Sequence, residues 1–141
     1  MADPPTIIIH NLDHAKGALA AAAEAGVGVR LASAPGAAAL GGAAWFVEVI
    51  AAARRAHPEA ESEAVLDCGA EPGLALAAIR AGAEAIRLKA RADVRRRVAA
   101  IAAAAGSRLV AAERGRSLDL LDHGDAQETV AAWLRRRNAR L

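Results

Sequence analysis

Asp67 and Cys68 follow the apolar run Ala64-Val65-Leu66, and Lys89 follows Ile86-Arg87-Leu88. A carboxylate and an amine at neighbouring strand ends suit a proton-transfer pair. Lys89 could also form a Schiff base with a carbonyl ligand, if desolvation favours its neutral amine; a structural Asp67–Lys89 salt bridge is the plainer alternative. Cys68 precedes a helix start, where a thiolate can be stabilised, and His10 or His14 could act as its base. Its alternative is an inert buried thiol. The catalytic candidates are therefore Asp67, Lys89, Cys68 and His14. His10, Asp13 and His14 are possible metal ligands. The strand-to-helix break runs through them, however, so no regular spacing places them on one face and no metal is assigned.

Other polar residues gather where strands are expected to end. His10, Asn11, Ser33, Gly36, Glu113 and Arg114 are the candidates for ligand binding, because ligands bind outside the carboxyl ends of parallel strands. Ser33-Ala34-Pro35-Gly36 and the pair Gly41-Gly42 could offer backbone N–H groups to a small anionic or phosphorylated ligand. No Walker A sequence and no Gly-x-Gly-x-x-Gly follows a strand, so no nucleotide or other cofactor is specified.

The elements that must hold these groups alternate along the chain. Ile7-Ile8-Ile9 reads as a buried strand. Asp13 is expected to cap a helix with Ala15, Ala18, Leu19, Ala22 and Ala23 on one face, ended by Gly26. A second strand covers Val27 to Ser33. Trp45, Phe46, Val49, Ile50 and Ala53 form a helical stripe that stops before Pro58, with Trp45 and Phe46 as the expected core anchor. Ala64 to Asp67 is a third strand, and Pro72 opens a short helix closed by Gly82. A fourth strand carries Ile86 and Leu88 on one face and Arg87 and Lys89 on the other. Val94, Val98, Ile101, Ala102 and Ala105 make the next stripe, opposite Arg95, Arg96 and Arg97. Arg108 to Ala112 reads as a fifth strand. Gly115 to Gly124 could be strand, short helix or packed loop. Asp125-Ala126-Gln127-Glu128 has the form of a helix start, and the last helix is anchored by Val130, Trp133 and Leu134. Arg135, Arg136 and Arg137 suit its final turn, where cations complement the helix dipole.

This alternation predicts one α/β domain over residues 1–141, three-layered, with a mainly parallel sheet of about five strands in a flavodoxin- or Rossmann-like arrangement. A half-barrel completed by dimerisation is the alternative. Arg30 suits an edge strand; Arg87 and Lys89 are harder to place on an interior one, and they favour the half-barrel.

The phrase Leu66 to Lys89, LDCGAEPGLALAAIRAGAEAIRLK, resembles the strand–helix–strand units of (β/α)-barrel enzymes of the phosphoribosyltransferase and aldolase types. In such units a strand ends in an acid, a short helix ends in Ala-Gly-Ala, and the next strand ends in a functional residue. His10 to Ala15, HNLDHA, is loosely similar to the His-Leu-Asp-His-Gly stretch of class II aldolases, with Asn11 interposed and Ala15 in place of the glycine. The resemblance implies a fold class. At 141 residues the chain is shorter than the roughly 250 residues typical of a full barrel.

Composition narrows the partners. More than half of the residues are apolar, mostly alanine, and two Trp and one Phe are the only Phe, Trp or Tyr residues. Residues 1–90 carry 7 basic and 10 acidic side chains, and residues 91–141 carry 11 and 6. A basic C-terminal third can serve nucleic acid or phosphate, but without aromatic stacking residues single-stranded nucleic acid is a poor partner. The single cysteine excludes an intrachain disulfide and fits a reducing compartment. Met1 to Pro5 has no basic-then-apolar leader and no apolar run reaches membrane-spanning length, so a cytoplasmic protein without a membrane partner is expected. The sequence thus leads to a small-molecule-binding α/β domain, enzyme or binder, with its site at the strand C-terminal edge. The alternative is a non-catalytic domain that forms homo-oligomers.

Overall fold

Short runs built around Ile, Val, Leu and Ala form the strands, and alanine-rich amphipathic runs form the helices. The computed structural model describes residues 3–140. In it Thr6–Ile8 is β1, Leu12–Ala25 α1, Val29–Ala32 β2, Ala43–Ala56 α2, Ser62–Asp67 β3 and Pro72–Arg80 α3. Ala85–Arg87 is β4, Ala92–Ala104 α4, Arg108–Leu109 β5, Leu118–Asp119 β6 and Ala126–Ala139 α5. A 3-10 turn at Ala37–Ala39 lies between β2 and α2. Met1 and Ala2, within the stretch read for a leader, and the final Leu141 lie outside the described residues. No described helix is long and apolar enough to cross a membrane.

The fold is α/β, with a parallel sheet whose strands alternate with helices and which does not close into a barrel. Its order is β5-β4-β3-β2-β1-β6. β6 comes from the segment Gly115 to Gly124 that sequence left ambiguous, and it raises the strand count to six. The fourth strand is interior, as it is in the flavodoxin-like order. The first five strands, however, lie in chain order rather than with the first between the second and third.

The chain divides into two compact units: Met1–Leu31, Val49–Glu63 and Gly115–Leu141 in one, Ala32–Glu48 and Ala64–Arg114 in the other. In the first, β1 pairs with β6 through Ile7 beside Leu118 and Ile8 beside Asp119. α1 packs on α5 so closely that a Cβ on Gly17 would lie 2.7 Å from both Ala126 Cβ and Gln127 N. Ala15, Ala18, Leu19, Ala22, Val130 and Leu134 are buried on these two helices. Gly17 thus permits the close approach, while the alanines around it gain little transfer energy per residue. In the second unit β3, β4 and β5 pair in order, with Val65 beside Ala85 and Ala85 beside Arg108. Val65, Ala85 and Val110 form a buried apolar cluster there.

Helix ends follow local chemistry. Gly26 takes φ 69° and donates its N–H to the carbonyls of Ala22 and Ala23, closing α1. Pro72 stands in the first turn of α3. Asp125 accepts the Glu128 N–H as the α5 N-cap.

Four expectations need correction. The α1 cap is Asn11, not Asp13; Asn11 Oδ1 accepts the His14 N–H at 2.8 Å, and Asp13 falls inside the first turn. Trp45 is 40% exposed, and Phe46 alone of the pair is buried, because successive helical positions point about 100° apart. Ile101 is 48% exposed, since the buried face of α4 centres on Val98 and Ala102. Arg30 is not at an edge: β2 is interior, and the side chain is buried with Nε 2.7 Å from Glu63 Oε1. A paired guanidinium can occupy such a place where a lone charge could not.

Candidate functional site

The end of the first unit's strand pair brings together four polar side chains. Asp119 stands beside Ile8 in the ladder, and His10, two residues beyond Ile8, shares its face by strand alternation. His10 Nε2 accordingly lies 2.6 Å from Asp119 Oδ1. The same Oδ1 accepts the Leu121 N–H at 2.9 Å. One turn into α1, His14 returns toward the strand, and its Nδ1 accepts the His10 backbone N–H at 3.0 Å. The two imidazole rings meet edge to face, with centroids 5.7 Å apart.

These contacts fix where the ring protons sit. The Asp119 carboxylate accepts the proton on His10 Nε2, which leaves His10 Nδ1 as the lone-pair nitrogen of the neutral ring. The His14 Nδ1 lone pair is occupied by a backbone N–H, so neutral His14 carries its proton on Nε2. Among the described residues neither His10 Nδ1 nor His14 Nε2 has a protein partner. One ring thus offers an acceptor and the other a donor.

The electrostatics hold that arrangement. Burial lowers the His14 pKa from its ordinary 6.5, and His10 and His123 lower it further, outweighing the opposing pull of Asp119 and Asp13. Partial burial alone would raise the Asp119 carboxyl. The Leu121 N–H, the hydrogen bond to His10 and the nearby imidazoles outweigh it and hold the carboxyl below its usual range.

An open cleft of about 440 Å³ lies beside this cluster, lined by Asn11, Asp13, His14, His123, Asp125 and Gln127 among others. It is bordered by the first turns of α1 and α5. Sequence reasoning placed His10, Asn11 and His14 here but missed Asp119 and His123. The signal was available: Leu118-Asp119 repeats the apolar-then-acid ending of Leu66-Asp67. No group of three or more His, Cys, Asp or Glu among the described residues is arranged to hold a metal ion.

The candidates in the second unit take different roles. Asp67 Oδ1 accepts the backbone N–H groups of Gly36 at 2.9 Å and Gly69 at 2.8 Å. Ser33 Oγ accepts the Asp67 N–H at 2.9 Å and donates to the Ala34 carbonyl. Ser33, Gly36 and Asp67 therefore form a clamp between two loops. The Gly36 N–H that might have met an anion is already spent on a carboxylate.

The Asp67–Lys89 pair, whether catalytic or structural, is not formed. Lys89 is exposed, without the burial a Schiff-base lysine relies on, and its backbone N–H bonds the Gly69 carbonyl. The strand-end ion pair is instead Arg87 Nη2 with Glu113 Oε2 at 3.5 Å, and Arg87 Nε also donates to the Ala111 carbonyl. This answers the difficulty of a charge on an interior strand: Arg87 leans toward the chain beyond β5 and is neutralised there. Arg114 is exposed. Cys68 is fully buried, and desolvation, with the Asp67 charge second, pushes its thiol up to about 11. At neutral pH it is a core thiol rather than a nucleophile.

A scan against models of protein families finds no match to this chain, and a search of curated proteins finds no significant relative.

Proposed function

We propose that the protein binds a small polar molecule in the cleft beside His10, His14 and Asp119, at the C-terminal edge of β1 and β6. The observation that carries this reading is an open cleft lined by His14, whose Nε2 has no partner among the described residues, together with Asn11, His123 and Gln127. The ionisable groups lining that cleft are Asp13, Asp125, His14 and His123. With its imidazoles neutral the cleft is negative, which favours an uncharged or cationic compound over a phosphorylated one.

A fragment screen followed by amide NMR tests the reading. Uncharged polar fragments should shift the resonances of Asn11, His14, His123 and Gln127 together. Shifts confined to the residues around Asp67 and Lys89, or none at all, would reject it.

A second reading, a homo-oligomerising domain, is favoured by Leu40, which is 90% exposed close in sequence to the half-exposed Trp45. Solution mass by light scattering tests it. A multimer that Leu40→Glu dissociates would support self-association through this surface, and a monomer at all concentrations would oppose it.

A further inference from the structure

We infer that the cleft takes an organic cation and that acidification releases it, with protonation of the imidazoles in its lining as the switch. This inference rests on the proposed binding reading and adds the charge of the ligand and the control of its binding.

The lining carries the argument. Its ionisable side chains are two carboxylates, Asp13 and Asp125, and two imidazoles, His14 and His123. Among the described residues no Lys or Arg lines it. With both rings neutral the lining therefore holds two negative charges and no positive one. With both rings protonated the charges balance. Imidazole is the side chain that changes charge between about pH 5 and 8, above the range in which carboxyl groups ordinarily titrate. Acidification through that range thus removes the attraction for a cation. The first turns of α1 and α5 border the same cleft, and their dipoles oppose a cation there. Asn11 and Asp125 offset part of this by accepting the N–H groups of His14 and Glu128. The dipoles do not titrate, so they set the starting affinity and leave the direction of the pH response unchanged.

His14 gives the switch a structural part. Its Nδ1 accepts the His10 backbone N–H at 3.0 Å. A protonated Nδ1 is a donor, so two N–H groups would then face each other and the ring must leave that bond. The groups facing His14 are His10 at the end of β1, Asp119 in β6, Asp13 in its own turn and His123 before α5. His123 shares the lining with His14 and with Asp125 at the α5 cap, and Asp122 adjoins it in the chain. Burial, first, and the two other imidazoles oppose protonation of His14 more than Asp119 and Asp13 favour it. A cation in the cleft adds to that opposition. By linkage, proton and ligand then displace each other.

Ethanolamine and ethylene glycol are suitable probes, similar in size, the first cationic and the second uncharged. Amide NMR of the wild-type protein follows each from about pH 7.5 to about pH 5, the imidazole range. Ethanolamine should shift Asn11, His14, His123 and Gln127 at the upper pH. Its affinity should fall about tenfold at the lower pH, which is what one pKa unit of coupling between proton and ligand gives. Ethylene glycol, held by hydrogen bonds alone, should lose far less. Saturating ethanolamine should also make His14 harder to protonate, read from its ring proton shifts. His57, whose ring pairs with Glu59 and does not line the cleft, is the internal control. His14→Asn combined with His123→Asn should keep ethanolamine binding and lose its pH dependence; the wild-type titration stands without this variant. Equal ethanolamine affinity across the range would overturn the switch and leave binding intact. So would ethylene glycol binding in the cleft where ethanolamine does not. Equal weakening of both probes would overturn it too, because a change in the cleft's shape rather than its charge would then be responsible. No shift from either probe would remove the binding reading as well.

Discussion

His14 Nδ1 accepts the backbone N–H of His10, so the ring that lines the cleft is bound to the strand end through the nitrogen it would need to protonate. Protonating His14 breaks that bond, and burial first, with His10 and His123 beside the ring, disfavours the cation it would create. The native protein therefore binds this proton more weakly than the unfolded chain, whose ordinary pKa is 6.5.

The pH dependence follows from that difference. Between the lowered native pKa and 6.5, the unfolded chain holds more protons, so stability rises with pH there. His14's contribution is full above 6.5 and is lost as pH falls toward its native value. Urea denaturation across this window should show the decline. His14→Asn, whose side-chain oxygen can still accept the His10 N–H, should flatten it.

Asp67→Ala should destabilise the protein by about 1–3 kcal/mol, because it strands the N–H groups of Gly36 and Gly69. Chemical denaturation measures the loss. Accelerated hydrogen exchange at those two amides would locate it. Unchanged stability with both amides still protected would contradict the clamp.

Gly17→Ala tests the contact between α1 and α5. The added methyl would lie 2.7 Å from backbone and Cβ atoms at the start of α5, where no flexible side-chain end can move aside. Overpacking of this kind costs about 1–3 kcal/mol. The expected result is a lower denaturation midpoint, with the largest amide shifts at Ala126 and Gln127.

Cys68 should resist alkylation in the native state. A rise from 9.0 to about 11 lowers the thiolate fraction about a hundredfold at neutral pH, and burial restricts access as well. Mass spectrometry after iodoacetamide treatment should find labelling only when the protein is unfolded. Rapid labelling of the folded chain would contradict the assigned environment.

What was legible in the sequence was local. Gly26, Pro72 and Asp125 mark helix boundaries through backbone constraints that need no partner, and each stands where its chemistry directs. What was not legible depended on pairing across the chain. Arg30 looks wrong on an interior strand until Glu63 lies beside it. Asp67 and Lys89 look like a pair until Asp67 is seen bonding Gly36 and Gly69. Asp119 was overlooked because β6 has only two residues, too few to show an alternating pattern. Its importance comes from the register that places it beside Ile8. The cap on α1 moved from Asp13 to Asn11 for a similar reason: both residue types cap well, and the position of His14 favours Asn11.

The brevity of the outer strands has a consequence for association. β5 and β6 occupy the two margins of the sheet and are two residues long each. A margin that short presents few free N–H and C=O groups, so another chain finds little template for extending the sheet into a polymer. Arg108 in β5 and Asp119 in β6 add a charge to each margin. The protein is thereby guarded against edge-to-edge aggregation, and lengthening either strand with β-branched residues should weaken that protection.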